Sequence, residues 1–247
     1  MYNFKNFKIN SDPYPHCFVE DFFDTNVLEE LNNTFPSPDW FSTGKNGDGR
    51  VTSHTNRFNL SAGQYCTTNF DDFIEIKENI MWKKIYEKVK SHELTYELLP
   101  YFSKYLEKNS YIKSDFAPPT FDITYQTDGY INPPHLDTPY HVFQMIIYID
   151  TSKIVSGGDI TVWNPDRTLY KSYKVKNNSC FIWLNTDKSF HAAHPALEGE
   201  RRFIYIGFDS VLNTAFANRP APQWHTFDVK NAKSPWRIYD LNKNAFI

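Results

Sequence analysis

Two residues able to bind a metal, His135 and Asp137, stand two apart in the segment YQTDGYINPPHLDTPYHVFQMIIYID, at the entrance to an apolar run. In an extended chain residues i and i+2 project from the same face, which sets an imidazole beside a carboxylate. Such a pair needs a third ligand from a distant strand to complete one face of an octahedron. Two histidines and one carboxylate then leave three positions open, the donor set of non-haem iron(II) sites. H-x-D alone is a weak signal, because structural pairs of this kind are common. A third group is available far along the chain: in SFHAAHPALEGERRFIYIGF, His191 precedes a turn from Pro195 to Gly199, and Arg201 opens the strand that follows. Across that turn both can face one cavity, His191 toward a metal and Arg201 toward the carboxylate of a cosubstrate. A planar guanidinium suits that task because it forms two parallel charge-assisted hydrogen bonds.

Other residues compete for these roles. His194 directly precedes Pro195 and would sit inside the turn, so His191 is the better distal ligand. His141, four residues after Asp137, is expected on the sheet surface or at the cavity rim. Arg202 should point opposite to Arg201 by strand alternation, as a surface or helix-packing arginine. His16, His54, His92 and His225 have no partner at ligand spacing and read as structural.

Short strands must position these groups. Runs at Thr120 to Tyr125, Val142 to Ile149, Asp159 to Trp163, Thr168 to Val175, Ser179 to Leu184 and Arg201 to Phe208 are punctuated by turn residues at Gly129, Gly157-Gly158, Asn164-Pro165, Asn177-Asn178 and Gly199. The first half differs. A short strand at Pro15 to Glu20 precedes a helix with Asp24 or Thr25 as N-cap and Pro36 and Pro38 as its stop. Phe73, Ile76, Ile80, Met81, Ile85 and Val89 recur at helical spacing, and a second amphipathic stretch carries Leu98, Phe102 and Leu106. Many strands after a helical half point to a β-sandwich or jelly roll buttressed by helices. Between them, Thr43 to Gln64 is polar and without periodicity. It is expected to be a lid, with Gly44, Gly47 and Gly49 as hinges and Arg50, Arg57, Asn56 and Asn59 gripping a polar or carboxylate-bearing substrate.

With these motifs in order, the chain resembles the iron(II)- and 2-oxoglutarate-dependent dioxygenases of the prolyl-4-hydroxylase-like group. The resemblance runs from Tyr125-x-x-x-Gly129 and P-H135-L-D137 through Tyr148-Ile-Asp150 and S-G157-G158-D-I-T to H191-A-A-H-P-A-L-E-G-E-R201. It implies an α+β, mainly β fold: a double-stranded β-helix of the jelly-roll or cupin-like kind with flanking N-terminal helices. The expected layout is a single dioxygenase domain over 1–247, with a helical and lid support region at 1–110, the β-helix core at 115–210 and a C-terminal extension at 211–247. The resemblance further implies Fe(II) on His135, Asp137 and His191, the 2-oxoglutarate C5 carboxylate on Arg201, and Tyr148 and Tyr125 as hydrogen-bonding neighbours of the cosubstrate. For Tyr148, a purely structural role in its apolar strand is an equal alternative. The implied reaction consumes O2, with ascorbate in support, and hydroxylates a C–H bond with release of succinate and CO2. The substrate would be peptidyl or free proline, or a small amino-acid-like molecule. A carboxylate at Asp137 argues for hydroxylation over halogenation, which would need a small residue there. A non-catalytic metal- or sugar-binding β-helix and a zinc hydrolase are the competing readings.

Composition narrows the field further. With 26 basic and 29 acidic residues the formal charge is -3, without the basic excess that drives phosphate-backbone binding, so no nucleic-acid partner is expected. No apolar run approaches the ~20 residues of a membrane helix, and no leader pattern is evident, so a cytoplasmic protein is expected. Cys17, Cys66 and Cys180 show no metal or disulfide spacing and are expected as buried small hydrophobes.

Overall fold

The computed structural model describes residues 1–4, 7–41, 56–62, 69–106, 119–137 and 141–209, with the backbone alone of 239–240 and 245–246. In chain order the elements are β1 (His16–Val19), α1 (Thr25–Asn33), β2 (Arg57–Ala62), α2 (Asn69–Ile74), α3 (Ile80–Lys90), α4 (Glu93–Phe102), β3 (Thr120–Gln126), β4 (Asn132–His135), β5 (His141–Asp150), β6 (Ile154–Ser156), β7 (Ile160–Trp163), β8 (Leu169–Tyr173), β9 (Cys180–Leu184), β10 (His191–Ala193), β11 (Glu198–Gly199) and β12 (Arg201–Asp209). A two-stranded ribbon, β13 (Tyr239–Asp240) with β14 (Ala245–Phe246), follows.

Among the described residues two antiparallel sheets are the largest, and β6 pairs with β11 in a small two-stranded one. Of the two large sheets, one has the order β1-β9-β5-β12-β3-β2 and the other β4-β10-β7-β8. Successive strands cross between them, β3 to β4 to β5 and again β9 to β10 to β12, and this alternation makes a double-stranded β-helix, the expected jelly-roll architecture.

The large sheet is buried on both faces, which explains why β5 reads as a nearly unbroken apolar run. Phe143, Met145, Ile147 and Ile149 turn to the helices, where Trp82, Ile85 and Val89 of α3 and Leu94, Leu98 and Phe102 of α4 meet them in the main core. The Phe102 and Phe143 rings stack there with centroids 5.7 Å apart. Gln144 and Tyr148 point the other way, and Tyr148 joins a second cluster between the sheets with Ile160, Val162, Phe181, Trp183 and Phe203.

The helical half departs from expectation in two places. The periodic stretch from Phe73 to Val89 is not one helix: α2 ends at Ile74 and a 3-10 turn over Lys77–Asn79 separates it from α3. Buried Asn79 is the cause, because its Nδ2 donates to the Phe73 carbonyl at 2.7 Å and closes the end of α2. Ile80 is consequently 47% exposed, and Trp82 takes the core position. The expected lid is corrected over 57–62. Those residues form β2, the edge strand paired with β3 from Arg57 opposite Gln126 to Ala62 opposite Phe121. Positions 42–55 and 63–68, with Gly44, Gly47, Gly49 and Arg50, lie outside the described residues, as do His54, Cys66, His225 and most of the extension at 211–247. Cys17 and Cys180 are buried free thiols. Among the described residues, no helix is long and apolar enough to cross a membrane.

Candidate active site

The pairing of β4 with β10 sets His135 directly opposite His191. Their rings lie 4.4 Å apart, centroid to centroid. Asp137, just past the end of β4, reaches both: Oδ1 is 3.4 Å from His135 Nε2 and Oδ2 is 3.1 Å from His191 Nε2. One ligand atom from each of the three lies within 4.8 Å of the others, so the structure brings together the residues paired by spacing alone.

The ring orientations suit a metal. His135 Nδ1 donates to the Pro133 carbonyl at 2.8 Å and His191 Nδ1 to the Ser189 carbonyl at 2.9 Å. A carbonyl only accepts, so each Nδ1 carries a proton and Nε2 is the ring nitrogen turned to Asp137, where it can donate to the carboxylate or, once deprotonated, hold a metal. Asn132 Nδ2 meets His135 Nε2 at 3.2 Å. Burial by itself would raise the Asp137 carboxyl, but His191 and His135 outweigh it and hold the group well below the usual carboxylate range. For His191, burial opposes the charged form and the Asp137 carboxylate more than compensates, raising its pKa above 6.5.

Arg201 lies across the cavity and is only 2% exposed. Its Nε donates to Gln126 Oε1 at 2.7 Å and its Nη1 to the Gly158 carbonyl. Among the described residues no carboxylate forms an ion pair with it. Its Cζ is 5.5 Å from the Tyr148 ring centroid, 5.7 Å from that of Tyr130 and 5.8 Å from that of Phe203. The Tyr148 hydroxyl is buried and has no hydrogen-bond partner among the described residues. Burial raises its pKa far above 10, with Arg201 pulling the other way. A buried cation beside an orphaned donor fits a carboxylate, because either group left alone in a dry site is costly. The Gly157-Gly158 turn permits this approach. Both residues have positive φ, and a Cβ on Gly157 would collide with the Ala196 carbonyl oxygen, while one on Gly158 would stand 3.2 Å from Arg201 Nη1.

Tyr125 is placed elsewhere. It lies opposite Arg202 and Phe58, on the helix-facing side of β3, with ring contacts to Phe41 and Phe58. The reason is strand phase: Gln126 is the residue opposite Arg201, so it and not Tyr125 faces the cavity. His194 stands against Trp163, with centroids 6.3 Å apart, and is outside the cluster of three. Arg202 turns outward over the Phe35 ring at 4.8 Å. His141 is buried with its ring against Gly207.

The cavity, about 280 Å³, is also lined by groups that sequence reasoning passed over: Asn132, Trp183, Tyr205 and Asp122. Arg57, expected in the lid, enters it from β2, its Nε donating to Asn59 Oδ1 at 3.0 Å and its Nη2 standing 4.0 Å from Asp122 Oδ2.

The chain therefore has the double-stranded β-helix fold of the 2-oxoglutarate- and Fe(II)-dependent oxygenases, and solved structures of that kind resemble it over most of its length. A prolyl hydroxylase from Trichoplax adhaerens, in complex with a peptide fragment of the hypoxia inducible factor oxygen degradation domain, matches with a TM-score of 0.56 at 11% identity, over 83% of this chain and 87% of that one. A prolyl 4-hydroxylase from Phytophthora capsici matches with a TM-score of 0.54 at 16% identity, over 86% of this chain and 66% of that one. A full-length protein from Neurospora crassa, in complex with alpha-KG, matches with a TM-score of 0.53 at 10% identity, over 79% of this chain and 74% of that one. At such identities the likeness is one of fold. No protein-family model matches the sequence, and a search of curated proteins finds no match.

Proposed function

We propose that the chain is an Fe(II)- and 2-oxoglutarate-dependent oxygenase that hydroxylates an unactivated C–H bond in peptidyl or free proline or in a small amino-acid-like substrate. The observation that carries this reading is the pairing, in one cavity, of a His-Asp-His cluster with a buried arginine that forms no ion pair with a carboxylate among the described residues. His135, Asp137 and His191 would hold the iron. Arg201 would take the C5 carboxylate of 2-oxoglutarate, and the Tyr148 hydroxyl would donate a further hydrogen bond to it. Iron, 2-oxoglutarate and O2 together supply the oxidising power, releasing succinate and CO2, with ascorbate in support. The protein's own part is to aim the ligand atoms, hold the cosubstrate by its far end and exclude water from the reacting centre. Arg57 and Asn59 support a substrate with a polar or anionic group, which they would meet inside the same cavity. A zinc hydrolase or a non-catalytic binder would leave the buried Arg201 without a purpose. We read 1–247 as one oxygenase domain on the same grounds, with α2, α3 and α4 as the support of the large sheet.

The test is succinate formation from 2-oxoglutarate under Fe(II) and ascorbate, screened over proline-containing peptides, free proline and other amino acids. Turnover is expected with one of these classes and is expected to vanish in His135→Ala, Asp137→Ala and His191→Ala. Succinate formation that persists in all three variants would overturn the reading.

A further inference from the structure

Gln144 is a polar residue in the apolar run His-Val-Phe-Gln-Met-Ile-Ile of β5, and it is 0% exposed. An amide in such a place costs free energy unless both its ends are bonded. Both are. Its Nε2 donates to Asp137 Oδ2 at 2.8 Å, and its Oε1 accepts from the Tyr205 hydroxyl. The direction of the chain is fixed by chemistry: an ionised carboxylate can only accept, so the amide nitrogen faces Asp137 and the amide oxygen is left for a donor. Tyr205, on β12, is that donor, and its ring stands between this relay and the Arg57 guanidinium, 5.9 Å from its centroid. Neither residue belongs to the His-Asp-His cluster, yet together they reach one of its members.

We propose that Gln144, oriented by Tyr205, is a positioning residue that fixes the Asp137 carboxylate for metal binding; this rests on the metal-centre reading above. A carboxylate can hold a metal through one oxygen or through both. A hydrogen bond on Oδ2 favours Oδ1 as the single ligand atom and so keeps coordination positions open for cosubstrate and O2. Tyr205 acts through Gln144, by preventing the amide from turning its oxygen toward the carboxylate.

The experiment uses the full chain with Mn(II) and, separately, Co(II), in the absence of 2-oxoglutarate. Mn(II) affinity is measured by calorimetry for the wild type, Gln144→Leu, Tyr205→Phe and the double variant, with thermal unfolding of each metal-free protein alongside. Gln144→Leu is expected to weaken Mn(II) by roughly 10- to 100-fold, the usual loss when a ligand's outer partner is removed. It is also expected to alter the visible absorption of bound Co(II), which a role in packing alone would not do. Tyr205→Phe should lose less, and the double variant should be no weaker than Gln144→Leu, because the tyrosine works only through the amide. Should Gln144→Leu fail to fold, Tyr205→Phe, which deletes one hydroxyl, still decides the matter through affinity and spectrum. Wild-type binding with unchanged affinity and unchanged Co(II) absorption in the folded variants overturns the positioning role alone. A wild type that binds neither ion overturns the metal centre and this role together.

Discussion

The two faces of the large sheet are built from the same strands and obey different rules. On the helix side β5 presents Phe143, Met145, Ile147 and Ile149, and they join the apolar core shared with the helices. On the cavity side the same strand presents Gln144, Ile146 and Tyr148, while β3 adds Asp122, Thr124 and Gln126 and β12 adds Arg201. Period-two alternation lets one strand serve both. The outer face gains by removing apolar area from water and tolerates approximate shape. The inner face must match donor to acceptor atom by atom, and it carries the groups that can do chemistry.

The largest expected effect breaks the outer face. Phe143→Ala removes a ring stacked on Phe102 and should cost about 3–5 kcal/mol in denaturant unfolding. Mn(II) affinity, measured at a temperature where the variant is folded, should stay close to wild type, since none of the three ligands touches that ring. A variant that keeps its stability would show that the helix layer is not the main source of stability.

Next comes the inner face. Arg201→Lys should weaken 2-oxoglutarate binding by roughly 10- to 100-fold, because an ammonium loses the forked geometry. Arg202→Lys, on the other face, should change it little. Equilibrium dialysis with labelled 2-oxoglutarate reads both, and the reverse order of sensitivities would invert the assignment of faces.

A smaller loss is expected where the inner face is held in place. Gly157→Ala puts a Cβ against the Ala196 carbonyl at positive φ and should cost about 1–3 kcal/mol. It should also disturb the neighbouring Gly158 carbonyl that receives Arg201, so 2-oxoglutarate affinity and melting temperature should fall together. A loss of stability with full affinity would show that the turn does not position the arginine.

The smallest effect concerns His16, which bridges the sheets by donating from Nδ1 to the Tyr14 carbonyl and accepting from Tyr173 at Nε2, each at 2.8 Å. Burial lowers its pKa below 6.5. The unfolded chain therefore takes up a proton first as pH falls. The residue's contribution is complete above about 6.5 and drains away from there down through its folded value. Unfolding free energies of the wild type and His16→Gln, compared from pH 7.5 to 5, should converge toward acid; parallel curves would count against it.

The strands of the β-helix were legible where one face is strongly apolar. β3, β5, β7, β8, β9 and β12 lie within two residues of their expected bounds at every end. β2 escaped because Arg57, Asn59 and Ser61 occupy its inward positions, so its alternation read as a polar loop. β4 and β10 escaped because four and three residues, two of them proline in β4, carry too little periodicity to detect. The site followed the same division. His135, Asp137, His191 and Arg201 announce themselves by residue type. Tyr125 and Gln126 could not be told apart, because the phase of β3 is set by its pairing with β12 and not by any local signal. Gln144 did leave a trace, a lone amide in an apolar run, which implies a partner without naming it.

The position of β4 has one more consequence. It is an edge strand, and Pro133 and Pro134 leave it few N–H groups with which to join β10 or to recruit a foreign strand. Its attachment is weak in hydrogen bonds at the point where the chain needs it most. Under the proposed reading, an ion held by His135, Asp137 and His191 would be a reversible cross-link, closing a long loop of chain much as a disulfide does. At an ion concentration a hundred times its dissociation constant the gain would be about 2.7 kcal/mol, withdrawn whenever the ion leaves. The protein would then report its own metal status through the strength of its β-helix, and an apo molecule would open first along this seam.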